Sequence, residues 1–285
     1  MTNLKVELSP QFWRDYAATR KNSLPRKKVT AAKKWDQMAK RYQNFADDKD
    51  FTVELEWMKE GLLKRGMLGS EIEIIDVSCG PGTHCFDFAK LCRKVTAVDV
   101  SEKMIEQVLL RKNEHKVDNL TVVCQDFYDF TAPNLYDTVF VSMSPILNDL
   151  DSIDRLLDMS RRYLALTYWA GVRENPLYQR CYHLIYNSEY QFDALDLTVV
   201  FNYLNALGFS PEISYTHPVW KRWETLENTV SYMIWHLEFY RKLSDLEKES
   251  VKELIAAEAD VEGMVSYATR LRKGALFLDK KAGFF

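Results

Sequence analysis

The sequence predicts an α/β fold whose parallel sheet is covered by helices on both faces. Two patterns carry that prediction. Short β-branched runs alternate with helix-length amphipathic segments between residues 71 and 169, and each crossover between parallel strands lays a helix over the sheet. The first unit closes on a glycine turn, SCGPGTH at residues 78–84, between a strand and a helix, where open sheets of this kind place their ligand crevice.

The elements follow in order. Phe12, Trp13 and Tyr16 recur at helical spacing, Ser23 to Pro25 break the pattern, and Trp35, Met38, Ala39 and Tyr42 define a second amphipathic stretch. A helix over about Thr52 to Arg65 ends near Gly66. Glu71 to Val77 reads as a strand, Cys85 to Leu91 as a helix, Lys94 to Val100 as a strand and Glu102 to Arg111 as a helix. Leu120 to Cys124 and Tyr136 to Ser142 read as strands, Ile153 to Arg162 as a helix and Tyr163 to Trp169 as a strand. Past Gly171 the pattern is less regular. A helix is expected over Gln191 to Leu207, a strand over Pro211 to Trp220, helices over Thr225 to Tyr240 and Ser244 to Glu258, and a last strand over Gly274 to Asp279. Ser244, Asp245 and Glu247 resemble a helix start.

Composition excludes several classes. The 285 residues are 47% hydrophobic and 28% charged with only 10 Gly and 8 Pro, which is neither collagen-like nor disordered. A chain of this length buries roughly three quarters of its unfolded surface, so its core needs no staples. Cys79, Cys85, Cys92, Cys124 and Cys181 are odd in number and form no CxxC pair, so neither a disulfide framework nor a thiolate metal site is suggested. With no secretion-signal layout and no apolar stretch of membrane-span length, a cytoplasmic protein without membrane partners is expected. Residues 1–41 hold eleven Lys or Arg against Glu7, Asp15 and Asp36. Such an arm is read first as solvated helix faces and second as a polyanion contact.

The glycine turn narrows the ligand. Gly80 and Gly82 let the chain turn sharply and let a ligand approach the backbone, and the helix after Thr83 offers unpaired N–H groups. A dinucleotide fingerprint needs a third glycine where Cys85 stands, and no GKS or GKT follows, so neither nicotinamide, flavin nor a nucleotide P-loop is expected. Asp99 ends the second strand, where a carboxylate accepts hydrogen bonds from ribose hydroxyls. Asp126 and Phe127 follow the third strand, an acceptor and a ring face suited to adenine.

The order and spacing of these residues resemble the class I S-adenosylmethionine-dependent methyltransferases over roughly Trp35 to Trp169. Asp76, Ser78, Gly80 and Gly82 fall on that family's first motif, acid-x-Gly-x-Gly-x-Gly, with Cys79 inside it and Ser78 in place of the first glycine. Serine suits that position where its backbone needs no positive φ. VTAVDVSEKMI resembles the second motif, which implies that Asp99 takes the ribose hydroxyls with Val100 and Met104 beside the adenine. CQDF resembles the next motif and implies Asp126 at the adenine amino group, with Phe127 adjoining. YDTVFVSMS resembles the fourth strand and implies Ser142 near the methionine part and the acceptor. KKWDQMAKRYQNF resembles the W-x-x-x-A-x-x-Y helix of many small-molecule members, which implies that Trp35 and Tyr42 close over the cofactor.

The resemblance implies a Rossmann-like seven-strand methyltransferase sheet over residues 71–285. An N-terminal helical segment, residues 1–70, would pack on that core, and a helical lid insertion would occupy about residues 222–263. It implies S-adenosylmethionine as cofactor, S-adenosylhomocysteine as product and a small-molecule acceptor. The alternatives are a non-catalytic S-adenosylmethionine-binding protein, or a tRNA or protein methyltransferase using the basic arm. SMSPILND departs from the Asn-Pro-Pro-aromatic and Asp-Pro-Pro-aromatic signatures, so a DNA target is not expected. Tyr168, Trp169, Tyr178, Tyr182, Trp220, Trp223, Trp235 and Tyr240 are expected mostly in packing, with a few facing a ligand. His84, His183, His217 and His236 are read as structural, and no catalytic base is assigned.

Overall fold

The computed structural model describes residues 9–20, 31–43, 49–191 and 195–282. Before the sheet come α1 (Pro10–Arg20), α2 (Ala31–Asp36), α3 (Ala39–Gln43) and α4 (Lys49–Lys64). The alternating part is β1 (Glu73–Val77), α5 (Cys85–Leu91), β2 (Lys94–Asp99), α6 (Glu102–Glu114), β3 (Leu120–Cys124), β4 (Tyr136–Ser142), α7 (Leu150–Met159) and β5 (Ser160–Glu174). Then follow α8 (Pro176–Tyr186), α9 (Leu197–Ala206), β6 (Glu212–Thr216), β7 (Val219–Thr225), α10 (Leu226–Leu237), α11 (Asp245–Ala256) and β8 (Met264–Asp279).

The strands form one sheet in the order β3-β2-β1-β4-β5-β8-β6, with β7 on β8 off that path. β3 to β5 run parallel, while β8 is antiparallel to β5, β6 and β7. Ile74 and Ile75, Val139 to Val141 and Leu164 to Leu166 are fully buried, as expected of central strands covered on both faces. One face packs Ile75, Val77, Val139 and Leu166 against α7 and α9. The other packs Ile74, Val95, Phe140 and Ala165 against α4, α5 and α6. A third cluster joins α8, α10 and α11 to Val265 and Tyr267 of β8.

Several elements differ from the sequence reading. The stretch Pro211 to Trp220 becomes two strands because His217 and Pro218 interrupt it: Thr216 pairs with Lys273, Val219 pairs with Arg270, and proline has no N–H for the ladder. The sheet therefore has eight strands. β8 begins ten residues earlier than expected, and its first half alternates, with Val265, Tyr267, Thr269, Leu271 and Lys273 buried. α8 was not anticipated, yet Asn175 caps it by accepting from the Tyr178 N–H, and Pro176 opens it. α7 starts three residues before the expected Ile153 because Asp149 caps it, and β5 follows at once from Ser160. The stretch from Trp35 to Tyr42 is two short helices joined by a turn. The break at Ser23 to Pro25 lies outside the described residues, as does part of the stretch expected to be helical before Leu197. Among the described residues no helix is long and apolar enough to cross a membrane.

One buried ion pair ties α4 to the sheet: Lys273 Nζ lies 2.9 Å from Glu54 Oε2, with both side chains almost fully buried. The Trp220 indole N–H donates to the other Glu54 oxygen at 2.5 Å. Removing one partner strands a buried charge, so Glu54→Ala should cost about 3–5 kcal/mol of unfolding free energy in urea titration. A loss below about 1 kcal/mol, as for a surface pair, would contradict this anchoring.

Candidate functional site

The carboxyl ends of β1 to β4 open on a cavity of about 460 Å³, within the range of small-molecule sites. Twelve of the thirteen residues expected at the cofactor line it: Trp35, Tyr42, Asp76, Ser78, Cys79, Gly80, Asp99, Val100, Met104, Asp126, Phe127 and Ser142. Gly82 stands behind the wall, where a Cβ would come within 3.1 Å of Phe86 and 3.2 Å of Val108. Its φ of +80° also favours glycine. Gly80, at φ +56°, has no atom within 4 Å of where a Cβ would sit, so the backbone there borders open space. Ser78 corrects the sequence reading, since its φ is +59°. The motif's glycine-favouring backbone is kept and a serine is held in it. Met143, after β4, is likewise left-handed at +52° and lines the cavity. Strained residues of this kind persist where surrounding packing fixes them.

Asp99 organises the turn. One carboxylate oxygen accepts from the Gly80 N–H at 2.9 Å and the other from the Ser101 N–H at 2.9 Å. Burial raises its pKa, and the N–H groups of Ser101, Gly80 and Val100 oppose that rise. Asp76 is fully buried and has no cationic partner among the described residues. It accepts from the Cys85 thiol at 3.3 Å. Burial pushes its carboxyl up to about 7, with a further push from Asp99 and a pull down from Cys85. The neighbouring thiols are held protonated: the hydrogen bond with Cys85 pulls Cys79 down, but burial together with the charges of Asp99 and Asp76 outweighs it and shifts the thiol to about 11, and Cys85 is raised by Cys79 and burial. Asp126 accepts from the Tyr128 N–H at 2.9 Å, and Ser142 shares a hydrogen bond of 2.8 Å with Thr167.

His84, in the turn, is pushed down to about 3 by burial and by Lys273. Its imidazole is therefore neutral at physiological pH, 4.8 Å from the Phe140 ring and 5.7 Å from that of Phe88. His236 also lines the cavity.

The cover over this cavity is α2 and α3, and Asp36 and Arg41, to which the sequence reading gave no role in the site, help to fix it. Asp36 accepts from the Ser101 hydroxyl at 2.6 Å and the Lys103 N–H at 3.1 Å, joining α2 to the start of α6. The Trp235 indole N–H donates to the Lys34 carbonyl at 3.1 Å, and the rings of Trp35 and Trp235 meet at 5.3 Å. Arg41 of α3 donates to both Glu224 oxygens at 2.8 Å and to the Tyr267 hydroxyl at 3.2 Å.

More aromatics face the cavity than expected. Tyr168, Trp169, Tyr178, Trp220, Trp235 and Tyr240 all line it, joined by Tyr190, Tyr232, Phe239 and Tyr267, whereas Tyr182 packs in the α8 cluster and Trp223 is exposed. Arg173 enters the same wall from the end of β5. Burial pulls its pKa down, but Tyr190, Tyr232, Tyr178 and Tyr240 push it up further, leaving a net rise. Helical spacing exposes Tyr232 with His236, and the bulge after Trp169 that turns Arg173 inward has only Gly171 as its sequence signal.

Residues 74–165 match the family model described as a methyltransferase domain. The solved structure of a candidate methyltransferase from Bacillus halodurans C-125 is similar, with a TM-score of 0.54, 16% identity, and 78% of this chain and 97% of that chain covered. Magnesium protoporphyrin IX methyltransferase from Synechocystis PCC 6803, solved with bound S-adenosylhomocysteine, gives a TM-score of 0.47 and 21% identity over 73% of this chain and 92% of that one. An N-methyltransferase from Bradyrhizobium japonicum gives 0.48 and 12% identity over 82% and 98%. No curated protein matches the sequence.

The left-handed backbone at Ser78 has a measurable consequence. It costs a non-glycine residue about 1–2 kcal/mol, and glycine forfeits about 0.5–1 kcal/mol through the unfolded chain. Ser78→Gly should therefore raise unfolding free energy by about 0.5–1 kcal/mol in denaturant titration. Gly82→Ala, strained and crowded at once, should lower it by about 1–3 kcal/mol.

Proposed function

We propose that this chain, whose residues 74–165 match a methyltransferase domain, is a class I S-adenosylmethionine-dependent methyltransferase that carries the methyl group to a small-molecule acceptor held in the aromatic part of its cavity. The observation that carries the reading is one continuous cavity. It runs from the glycine turn, with Asp76 and Asp99, to the rings of β5, α8 and α10 beneath α2 and α3.

The residues present fit the cofactor. Open space at Gly80 admits a ligand against the backbone. Asp99 keeps acceptor capacity beyond the N–H groups of Gly80, Ser101 and Val100, which suits ribose hydroxyls. Asp76, buried with no cation beside it among the described residues, suits an ammonium group. Asp126, Phe127, Val100 and Met104 would hold the adenine, Ser142 would border the methionine part and the acceptor, and Trp35 and Tyr42 would shut the mouth. The bound cofactor supplies an electrophilic methyl group on a sulfonium. The chain's own contribution is alignment and exclusion of water, which the buried walls and the fixed cover provide. His84 stays neutral near the turn, so it adds no positive charge beside a sulfonium.

Asp99→Ala removes two charge-assisted acceptors, each worth about 1.5–3 kcal/mol. It should weaken S-adenosylhomocysteine binding by about a hundredfold or more in calorimetry; unchanged affinity would contradict the ribose assignment. Asp76 gives a pH signature. With its folded pKa raised to about 7, the free protein holds a proton there at lower pH, and an ammonium-bearing ligand must displace it. Affinity should climb by about tenfold per pH unit up to pH 7 and level off above it. Asp76→Asn should bind weakly and flatten that profile; an unaltered profile would assign the titration elsewhere.

A further inference from the structure

We propose that the part of the cavity walled by β5, α8 and α10 takes an aromatic monocarboxylate as methyl acceptor, its carboxylate anchored by the guanidinium of Arg173. A second nucleophilic atom of the ligand forms the bond to the methyl carbon as the carbon–sulfur bond of the sulfonium breaks; the thioether S-adenosylhomocysteine leaves, and the proton of that atom goes to solvent. This deepens the reading of a small-molecule methyltransferase and rests on it.

The charge balance of the cavity is the main observation. Arg41 is matched by Glu224 at 2.8 Å and Lys273 by Glu54 at 2.9 Å. Arg173 lines the same space and meets neither a carboxylate nor a hydrogen-bond acceptor among the described residues. Its guanidinium lies 5.0 Å from the centre of the Trp169 ring, and its electrostatic neighbours are the phenols of Tyr190, Tyr232, Tyr178 and Tyr240. A cation drawn out of bulk water without a counter-charge is costly, and an anionic ligand offsets that cost.

The chemistry narrows the anion. The planar fork of a guanidinium matches a carboxylate with two parallel hydrogen bonds. Burial holds the Tyr178 hydroxyl protonated, far above its ordinary range, so it donates a hydrogen bond and brings no charge. The single charge of Arg173 balances one negative charge, which a carboxylate supplies and a phosphate dianion exceeds. The body of the ligand follows from the walls. Tyr178 and Tyr190 meet edge to face at 5.0 Å, and Tyr232 and His236 at 4.5 Å, surfaces suited to a flat apolar ring.

The test is calorimetric titration of the full chain with benzoate, benzamide and phenyl phosphate, each with and without saturating S-adenosylhomocysteine. Benzoate should bind about tenfold or more tighter than benzamide, and Arg173→Gln should remove about the same factor. Arg173→Lys, which keeps the charge and loses the fork, should fall between. S-adenosylhomocysteine affinity should change by less than about threefold in both variants, given that a lost charged hydrogen bond costs more. Equal binding of benzoate and benzamide, an Arg173→Gln variant that keeps benzoate affinity, or a preference for phenyl phosphate would overturn the proposal. So would an equal loss of S-adenosylhomocysteine affinity, which would assign Arg173 to the cofactor's own carboxylate. If S-adenosylhomocysteine does not bind while benzoate binds through Arg173, the methyltransferase reading fails and the anion site stands. The contrast between benzoate and benzamide needs no variant, so misfolding of either substitution leaves it intact.

Discussion

The carboxylate of Asp99 joins three parts of the molecule that the sequence places far apart. It accepts the Gly80 N–H from the glycine turn and the Ser101 N–H at the start of α6. Ser101 in turn caps α6 and donates its hydroxyl to Asp36 of α2. The end of β2 thus fixes the turn, the following helix and the cover through one short run of hydrogen bonds. Such networks, fully satisfied in a low-dielectric setting, rigidify what they join. Ser78, two residues before Gly80, holds a left-handed backbone beside that network, which persists where its surroundings fix it.

The cavity that this network shapes has two kinds of wall. Near the glycine turn the surface is backbone, carboxylates and the protonated thiol of Cys79, with Asp76 and Asp99 both pushed up by burial. Toward β5 and α10 the surface is rings, with cations set among them. Carboxylates on one side and, on the other, a guanidinium that meets no carboxylate among the described residues give the cavity an electrostatic direction. A sulfonium-bearing cofactor and an anionic acceptor fit such a direction without either charge facing its own kind. The buried pair Lys273 and Glu54 keeps a further cation from disturbing that balance.

The alternating half of the fold was legible in the sequence because two-sided burial writes β-branched runs and because the strands end on a glycine turn. Leu120–Cys124 and Tyr136–Ser142 appear with the bounds expected of them. Asp99 was legible by its place at a strand end. The irregular half was harder for identifiable reasons. Pro218 splits what reads as one strand, and the alternation of Val265 to Lys273 is diluted by Thr269 and Lys273 on the buried face. Asn175 and Pro176 carried a helix-start signal that composition alone obscures. Asp36 had no local signal, and Arg173 only Gly171, which marks the bulge before it. Asp36 acts through partners more than sixty residues away and Arg173 stands among rings that the fold brings around it, and both are properties of the folded chain.

The measurement that bears most directly on this account is parallel calorimetric titration of the purified protein with S-adenosylmethionine, S-adenosylhomocysteine and NAD. The account predicts micromolar binding of the first two, of the order that small-ligand recognition by a few charged hydrogen bonds supplies, and no binding of NAD. Binding of NAD alone would contradict it, because the glycine turn and Asp99 would then serve a dinucleotide and the roles given to Asp76, Asp126 and the cover would have to be withdrawn.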